Sequence, residues 1–206
     1  MYNPTHFSET DGIEIARLCQ EYPLALIVAA DADGLTANHV PLLRDGADFI
    51  GHVALANPVH GKITSQDPVL AVFTAGDGYV SPNWYPSKAE THKAVPTWNY
   101  QAVHVHGHFV FSHGDAIKRR VVSRLTHHFE SLTNGSSGWK MGDAPSDYLQ
   151  TMLDGIVAFR LVVTRIEAKS KLSQNRNRAD RDGVENGFEG QGNTLMTAAM
   201  GRQNRD

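Results

Sequence analysis

The sequence predicts a mainly β fold with accessory helices, arranged as a six-stranded antiparallel barrel of Greek-key type. Three observations carry this expectation. About six short apolar or alternating runs follow one another, and Asp33-Gly34 and Asp45-Gly46 mark tight turns between the first of them. Only one long amphipathic helical pattern occurs, and it comes late in the chain. Strands that succeed each other with few helices between them do not build βαβ units; they suit a closed or half-closed antiparallel barrel.

Residues 11–21 bring Ile13, Ala16, Leu18 and Cys19 near helical spacing, with Asp11 as N-cap and Pro23 as the stop. Residues 24–30 (LALIVAA) have the length of a buried strand. Residues 35–43 and 48–55 follow across the two Asp-Gly turns, which makes a meander. Asn57-Pro58 breaks the pattern before a short helical turn at 59–66. Residues 68–75 form the next strand, with Pro68 at its start, where a missing N–H does least harm. Gly76-Asp77-Gly78 reads as a turn into a long aromatic loop over 81–98. Residues 101–111 alternate, with Val103, Val105, Phe109 and Phe111 on one face and His104, His106 and His108 on the other. In residues 115–132, Ile117, Val121, Leu125 and Phe129 recur every fourth position, which makes this the longest helix. A loop over 133–144, a helix over 145–153 and a strand over 155–167 complete the pattern.

The expected organisation is one barrel domain over residues 1–180, with the 115–132 helix inserted in it. A flexible or weakly helical tail follows over 181–206. The tail is glycine-rich and shows little apolar periodicity beyond a short helix near 195–200.

Composition excludes several classes. Apolar residues make up 41% and charged residues 20%, too close to ordinary globular usage for a disordered chain. Acidic residues outnumber basic ones, 22 to 19, for a formal net charge of -3. A broad nucleic-acid-binding surface shows as a basic excess, and no helix-turn-helix is readable, so direct DNA binding is not expected. Cys19 is the single cysteine, which excludes a disulfide framework and suits a reducing compartment. No secretory pattern opens the chain, and no apolar run approaches the roughly 20 residues of a membrane span. A cytoplasmic location without membrane attachment is the expectation.

The chemistry-bearing residues cluster in three places. Tyr79, Trp84, Tyr85, Trp98 and Tyr100 lie within one stretch, interleaved with Ser81, Asn83, Ser87, Lys88, Thr97 and Asn99. Flat rings beside hydroxyls and amides suit a planar heteroaromatic ligand; they equally suit the cap of a barrel mouth or a subunit interface. Residues 169–176 (KSKLSQNR) mix three cations with short polar side chains. That composition fits a phosphate, or a solvated basic turn. Residues 57–62 (NPVHGK) place a cation where a strand gives way to a helical turn with free backbone N–H groups. Two adjacent strand histidines can share a metal if their side chains converge, but three along one straight strand rarely all reach a single ion and no carboxylate stands out nearby; a polar strand face is the preferred reading, and no metal site is expected. No GxGxxG, GxxxxGK[ST], GxSxG or HExxH motif occurs, and no catalytic side chain stands out.

Several of these segments share an order and wording with one family. The set is MYNPTHF at 1–7, HVPLL at 39–43, GHVA at 51–54 with Asn57-Pro58, YVSP at 79–82 leading to Trp84-Tyr85, VPTWNY at 95–100 and KLSQNR at 171–176. Together they resemble the PaiB family, described as FMN-binding negative transcriptional regulators. The resemblance implies an FMN-binding split barrel, related in fold to pyridoxamine-phosphate oxidases and flavin reductases. It also implies a homodimer that holds the flavin in a cleft between subunits. By strand order it puts His52, Asn57 and Lys62 near the FMN phosphate and ribityl chain. Ser81, Trp84, Tyr85, Thr97, Trp98 and Asn99 then fall near the ring, and Lys171, Gln174 and Arg176 offer a second place for the phosphate. Leu55 departs from the larger or basic residue of some relatives. The function so implied is that of a flavin-binding regulator or sensor. A flavin-dependent oxidoreductase on the same site is the alternative, and a barrel that has lost flavin is a third.

Overall fold

The structure is a computed structural model and describes residues 1–203. Its strands are β1 (Ser8–Glu9), β2 (Leu24–Asp31), β3 (Gly34–Pro41), β4 (Leu43–Asp45), β5 (Asp48–Ala54), β6 (Val69–Val80), β7 (Thr97–Ser112) and β8 (Ile156–Lys171). Its helices are α1 (Gly12–Glu21), α2 (Val59–Lys62), α3 (Lys88–Thr91), α4 (Asp115–Asn134), α5 (Ser146–Asp154), α6 (Arg178–Gly190) and α7 (Thr194–Gln203). The strands hydrogen-bond in the order β3-β2-β6-β7-β8-β5-β4, with β1 on β8, and every pairing given below is antiparallel. The expected antiparallel sheet is therefore present, with β1 and β4 as short additions. Two or three residues are too few to show a period in the sequence.

Contacts divide the chain into two compact units. One comprises residues 1–22, 73–104 and 167 onward; the other comprises 23–72 and 105–166. Strands β6, β7 and β8 contribute residues to both.

In the second unit β2 pairs with β3 from Leu24↔Pro41 to Asp31↔Gly34, and with β6 through Leu26↔Val72 to Ala29↔Val69. β5 pairs with β8 from Phe49↔Leu161 to Ala54↔Ile156. Alternation then decides which side chains are inside. The apolar stripe of α4 lays Val121 and Leu125 on Ile50 and Ala158, with Leu43 and Phe129 packed alongside. Lys118, on the same helix, is buried and donates to the Leu153 carbonyl at 2.8 Å.

In the first unit Asp11 caps α1 by accepting from the Ile13 N–H at 2.9 Å, and β1 pairs with the end of β8 at Ser8↔Lys169. Two expectations fail here for one reason. Gly76-Asp77-Gly78 is not a turn: β6 runs on through it to Val80. Nor is 181–203 a flexible tail: α6 fills its first half, and α7 covers the helix expected near 195–200; residues 204–206 lie outside the described residues. The glycines are places of close approach rather than breakers. A Cβ at Gly78 would fall 2.3 Å from the Phe188 ring, and one at Gly187 would fall 2.2 Å from the Trp84 ring. Val184, Phe188, Met196 and Met200 are buried against Val80, Tyr85 and Leu172, so packing outweighs the weak helix propensity of the segment. Asn177 caps α6 through the Asp180 N–H at 2.8 Å. Asp180, 3% exposed, accepts from the Ser87 N–H at 3.0 Å and hydroxyl at 2.7 Å.

Candidate functional site

The first unit contains a cavity of about 170 Å³. β7 supplies Thr97 and Asn99, β8 ends at Lys171, and the turn that follows adds Ser173 and Arg176; Tyr85 and Phe7 close the wall. The turn is held in a form the chain does not adopt freely. Ser173 sits at φ 67, in the left-handed region. Gln174 fixes it by accepting from the Leu172 N–H at 2.7 Å and donating to the Ser170 carbonyl. Asn99 is fully buried, donates to the Ser173 hydroxyl at 3.0 Å and accepts from it in turn.

Two cations face this cavity without a counter-ion. Lys171 Nζ donates to Thr97 Oγ1 at 2.7 Å and to the Trp98 carbonyl. The Arg176 guanidinium stands 4.7 Å from the centroid of the Tyr85 ring. Neither cation pairs with a carboxylate among the described residues. Burial holds the Lys171 ammonium below its ordinary value, and the charges of Lys169 and Arg176 push the same way. Tyr85 is 3% exposed, and its buried hydroxyl has no well-aligned hydrogen bond; burial raises its pKa against the pull of the charge and the N–H groups of the nearby Arg176. Uncompensated positive charge and a poorly satisfied hydroxyl together suit an anion.

The same unit also exposes two flat apolar faces. Trp98 is 54% and Tyr79 46% exposed, and their rings meet edge to face at 5.9 Å. Trp84 is elsewhere: it packs on α6, 5.2 Å from the Phe188 ring. The Ser81 hydroxyl accepts from the Asn83 N–H at 3.2 Å and caps a 3-10 turn. Thr97, Asn99, Tyr85, Lys171 and Arg176 are thus brought together, Gln174 shapes their turn, and Trp84 and Ser81 serve the frame; Trp98, between Thr97 and Asn99 on β7, offers the cavity only its carbonyl, through Lys171. The sequence pointed to this segment but not to Ser173 or Phe7; the signal for Ser173 lay inside the KLSQNR motif.

The remaining candidates are in the second unit. Lys62 Nζ pairs with Asp33 and, at 3.5 Å, with Asp31, and Asp33 raises its pKa. These three side chains line a cavity of about 150 Å³. Asn57 donates to Asn38 Oδ1 at 2.8 Å and accepts from the Val59 N–H at 3.0 Å, so it braces the entry to the α2 turn. His52 is half-buried, its Nδ1 has no partner, and burial pushes its pKa down. His60 bonds the Leu55 carbonyl at 2.9 Å. On the histidine strand His106 lies 3.1 Å from the Arg165 guanidinium. Among the described residues no group of three or more His, Cys, Asp or Glu side chains could hold a metal ion, and no helix is long and apolar enough to cross a membrane.

FMN presents a phosphate dianion, a hydroxylated chain and a flat ring. The first unit matches two of these: cations and a poorly satisfied hydroxyl for the phosphate, exposed rings for the isoalloxazine face. Small-ligand pockets usually measure roughly 300–1,000 Å³, so a 170 Å³ cavity has room for the phosphate end alone. In the second unit two carboxylates surround one lysine, which repels a dianion.

An antiparallel sheet with accessory helices gives the class as a split barrel. Solved structures agree on the fold. The FAD and heme binding protein of Mycobacterium smegmatis aligns with a TM-score of 0.60 at 17% identity, over 85% of this chain and 78% of that one. The flavocytochrome Anf3 of Azotobacter vinelandii aligns with a TM-score of 0.60 at 10% identity, over 85% and 75%. The family model described as "Putative FMN-binding domain" matches residues 1–165. "Protease synthase and sporulation protein PAI 2" of Bacillus subtilis (strain 168) is 33% identical over 184 residues, which cover 87% of this chain and 85% of that protein. The chain belongs to this FMN-binding family, as the PaiB resemblance of its motifs implies, and FMN is the cofactor that the family defines.

Proposed function

We propose that the chain is a flavin-binding regulator or sensor, active as a cytoplasmic homodimer, that holds the FMN phosphate on Lys171 and Arg176. The observation that carries the phosphate assignment is the pair of cations without a counter-ion beside the buried Tyr85 hydroxyl. Arg176 is fixed over the Tyr85 ring and offers two parallel N–H donors; Lys171 adds a point charge; the Tyr85 hydroxyl gains the well-aligned partner it lacks. Trp98 and Tyr79 offer faces on which the ring lies. Bound FMN supplies reversible redox chemistry, and the protein supplies placement and electrostatics.

The regulatory part of the reading rests on the PaiB resemblance and the Bacillus relative, whose name concerns protease synthesis and sporulation. Direct DNA binding is not part of it. In the basic run 118–120 Lys118 is buried on the Leu153 carbonyl, so that face presents two cations to solvent rather than three. The homodimer rests on the large aromatic surface of Trp98 and Tyr79, which association would remove from water. Titration of the apoprotein with FMN, followed by flavin fluorescence quenching, tests the cofactor. One saturable site per chain is expected, and absence of binding sinks the flavin reading. Light scattering that returns the 22.6 kDa monomer at micromolar concentration removes the dimer. Steady NAD(P)H oxidation by the holoprotein would replace the regulator by the oxidoreductase.

A further inference from the structure

The second unit contains a cavity of about 320 Å³ that the flavin reading does not use. Helix α4 crosses β5 and β8 there, and Ile50, Val121 and Phe159, each buried, make its apolar walls. Phe159 is itself wedged between Phe109, 4.6 Å away, and Phe111, 6.1 Å away, so the floor is a packed aromatic cluster that cannot easily collapse into the space. Val110 and Ile117 stand at the mouth, 47% and 45% exposed.

The rim is cationic. Arg120, Arg124 and Arg160 surround the opening. Asp45 holds Arg124 at 2.7 Å and Arg160 at 3.6 Å, and Asp48 takes Arg160 at 3.4 Å. Arg120, exposed at the rim, makes no ion pair or hydrogen bond at contact distance among the described residues, although its charge reaches Asp45 from further away. Three guanidiniums against two carboxylates leave one positive charge over an apolar chamber. A neutral hydrocarbon would leave Arg120 unmatched. A free phosphate would find no polar donors on the buried walls. The occupant that satisfies both parts carries an apolar body and one negative charge.

We propose that this cavity binds a small hydrophobic monocarboxylate, with its body among Ile50, Val121 and Phe159 and its carboxylate on Arg120. The volume lies at the low end of small-ligand sites, roughly 300–1,000 Å³, which restricts the occupant to a short acyl or single-ring body. With FMN at the Lys171–Arg176 cavity, as proposed above, the two sites are separate, since none of the residues of this one lines that cavity.

Calorimetric titration of the full chain with octanoate and with 1-octanol tests the proposal, with far-UV circular dichroism as the control of folding. Octanoate should bind at a single saturable site, about tenfold or more tighter than 1-octanol, because a charge-assisted bond to arginine replaces a neutral one. Arg120→Gln, an exposed change, should bring octanoate down to the octanol level and leave octanol and the FMN titration unchanged. Ile117→Trp should plug the mouth and abolish both. Equal affinities, octanoate binding that survives Arg120→Gln, or no saturable binding of either probe overturns the proposal. Binding that weakens as protein concentration rises would show a second copy seated on Val110 and Ile117, and also overturns it.

Discussion

Two lysine-bearing segments compete for the FMN phosphate, and paired substitutions separate them. Arg176→Ala removes a guanidinium that stands 4.7 Å from the Tyr85 ring. In the apoprotein the loss is a cation–π contact, about 0.5–1 kcal/mol at a partly exposed site. In the complex the loss includes a hydrogen bond between charged groups, about 1.5–3 kcal/mol. The affinity for FMN should therefore fall about 10- to 150-fold. Lys62→Ala is the comparison. Lys62 is already paired with Asp33 and Asp31, so its loss takes no free cation from a phosphate and should leave FMN affinity unchanged. The assay is flavin fluorescence quenching at fixed ionic strength, repeated at higher salt. The salt dependence of the wild-type protein should weaken in Arg176→Ala and persist in Lys62→Ala. Unchanged affinity in Arg176→Ala with a large loss in Lys62→Ala would refute the charge argument and move the phosphate to the 57–62 turn.

Further substitutions test the frame and the ring face. Trp98→Ala should weaken FMN by about 1 kcal/mol through lost stacking, with little change in urea midpoint, since the ring is 54% exposed; full affinity in this variant would show that the ring lies elsewhere. Gly187→Ala gains up to about 1 kcal/mol of helix propensity but drives a methyl into the Trp84 ring, an overpacking cost of about 1–3 kcal/mol. Net destabilisation in urea is expected, and a stabilised variant would contradict the close approach. Asp180→Ala leaves the Ser87 N–H and hydroxyl without their acceptor and should cost about 1–3 kcal/mol in the same assay. The pKa of His52 is depressed by burial from 6.5, so the unfolded chain binds its proton first. Its contribution to stability is complete above 6.5 and is lost as the pH falls through the folded value, at no more than about 1.4 kcal/mol per pH unit. His52→Gln should flatten that part of a urea-midpoint profile against pH; a profile identical to the parent's would exclude the histidine.

The fold was legible wherever a period was long enough to read. α1, α4, β2, β3 and β5 begin and end within a few residues of their sequence boundaries, because one face of each is buried and the alternation or the four-residue step records it. Legibility failed where glycine carried two meanings. In β6 and α6 it marks positions where another backbone or ring comes within contact distance, yet in sequence it reads as a turn or a tail. The partners that reverse the reading, Phe188 for Gly78 and Trp84 for Gly187, are about a hundred residues away, beyond any local window.

The site shows the same limit in electrostatic form. NPVHGK and KSKLSQNR look alike as cation-bearing turns, and local composition gives no reason to prefer either. What separates them is the charge each turn meets after folding. Lys62 meets Asp31 and Asp33 from the β2–β3 turn, so its field is spent within the protein. Lys171 and Arg176 meet Thr97, a carbonyl and the Tyr85 ring, and no carboxylate among the described residues. Burial then makes the difference larger, because a half-buried cation without a counter-ion is held below its ordinary pKa, and a bound dianion would lift that penalty. The Lys171 pKa is thus a readout of the cavity itself. Saturating FMN should raise it, and chemical labelling of Lys171 by an amine-reactive reagent at fixed pH should slow on FMN addition. Labelling that is indifferent to FMN would mean that the phosphate never reaches this lysine.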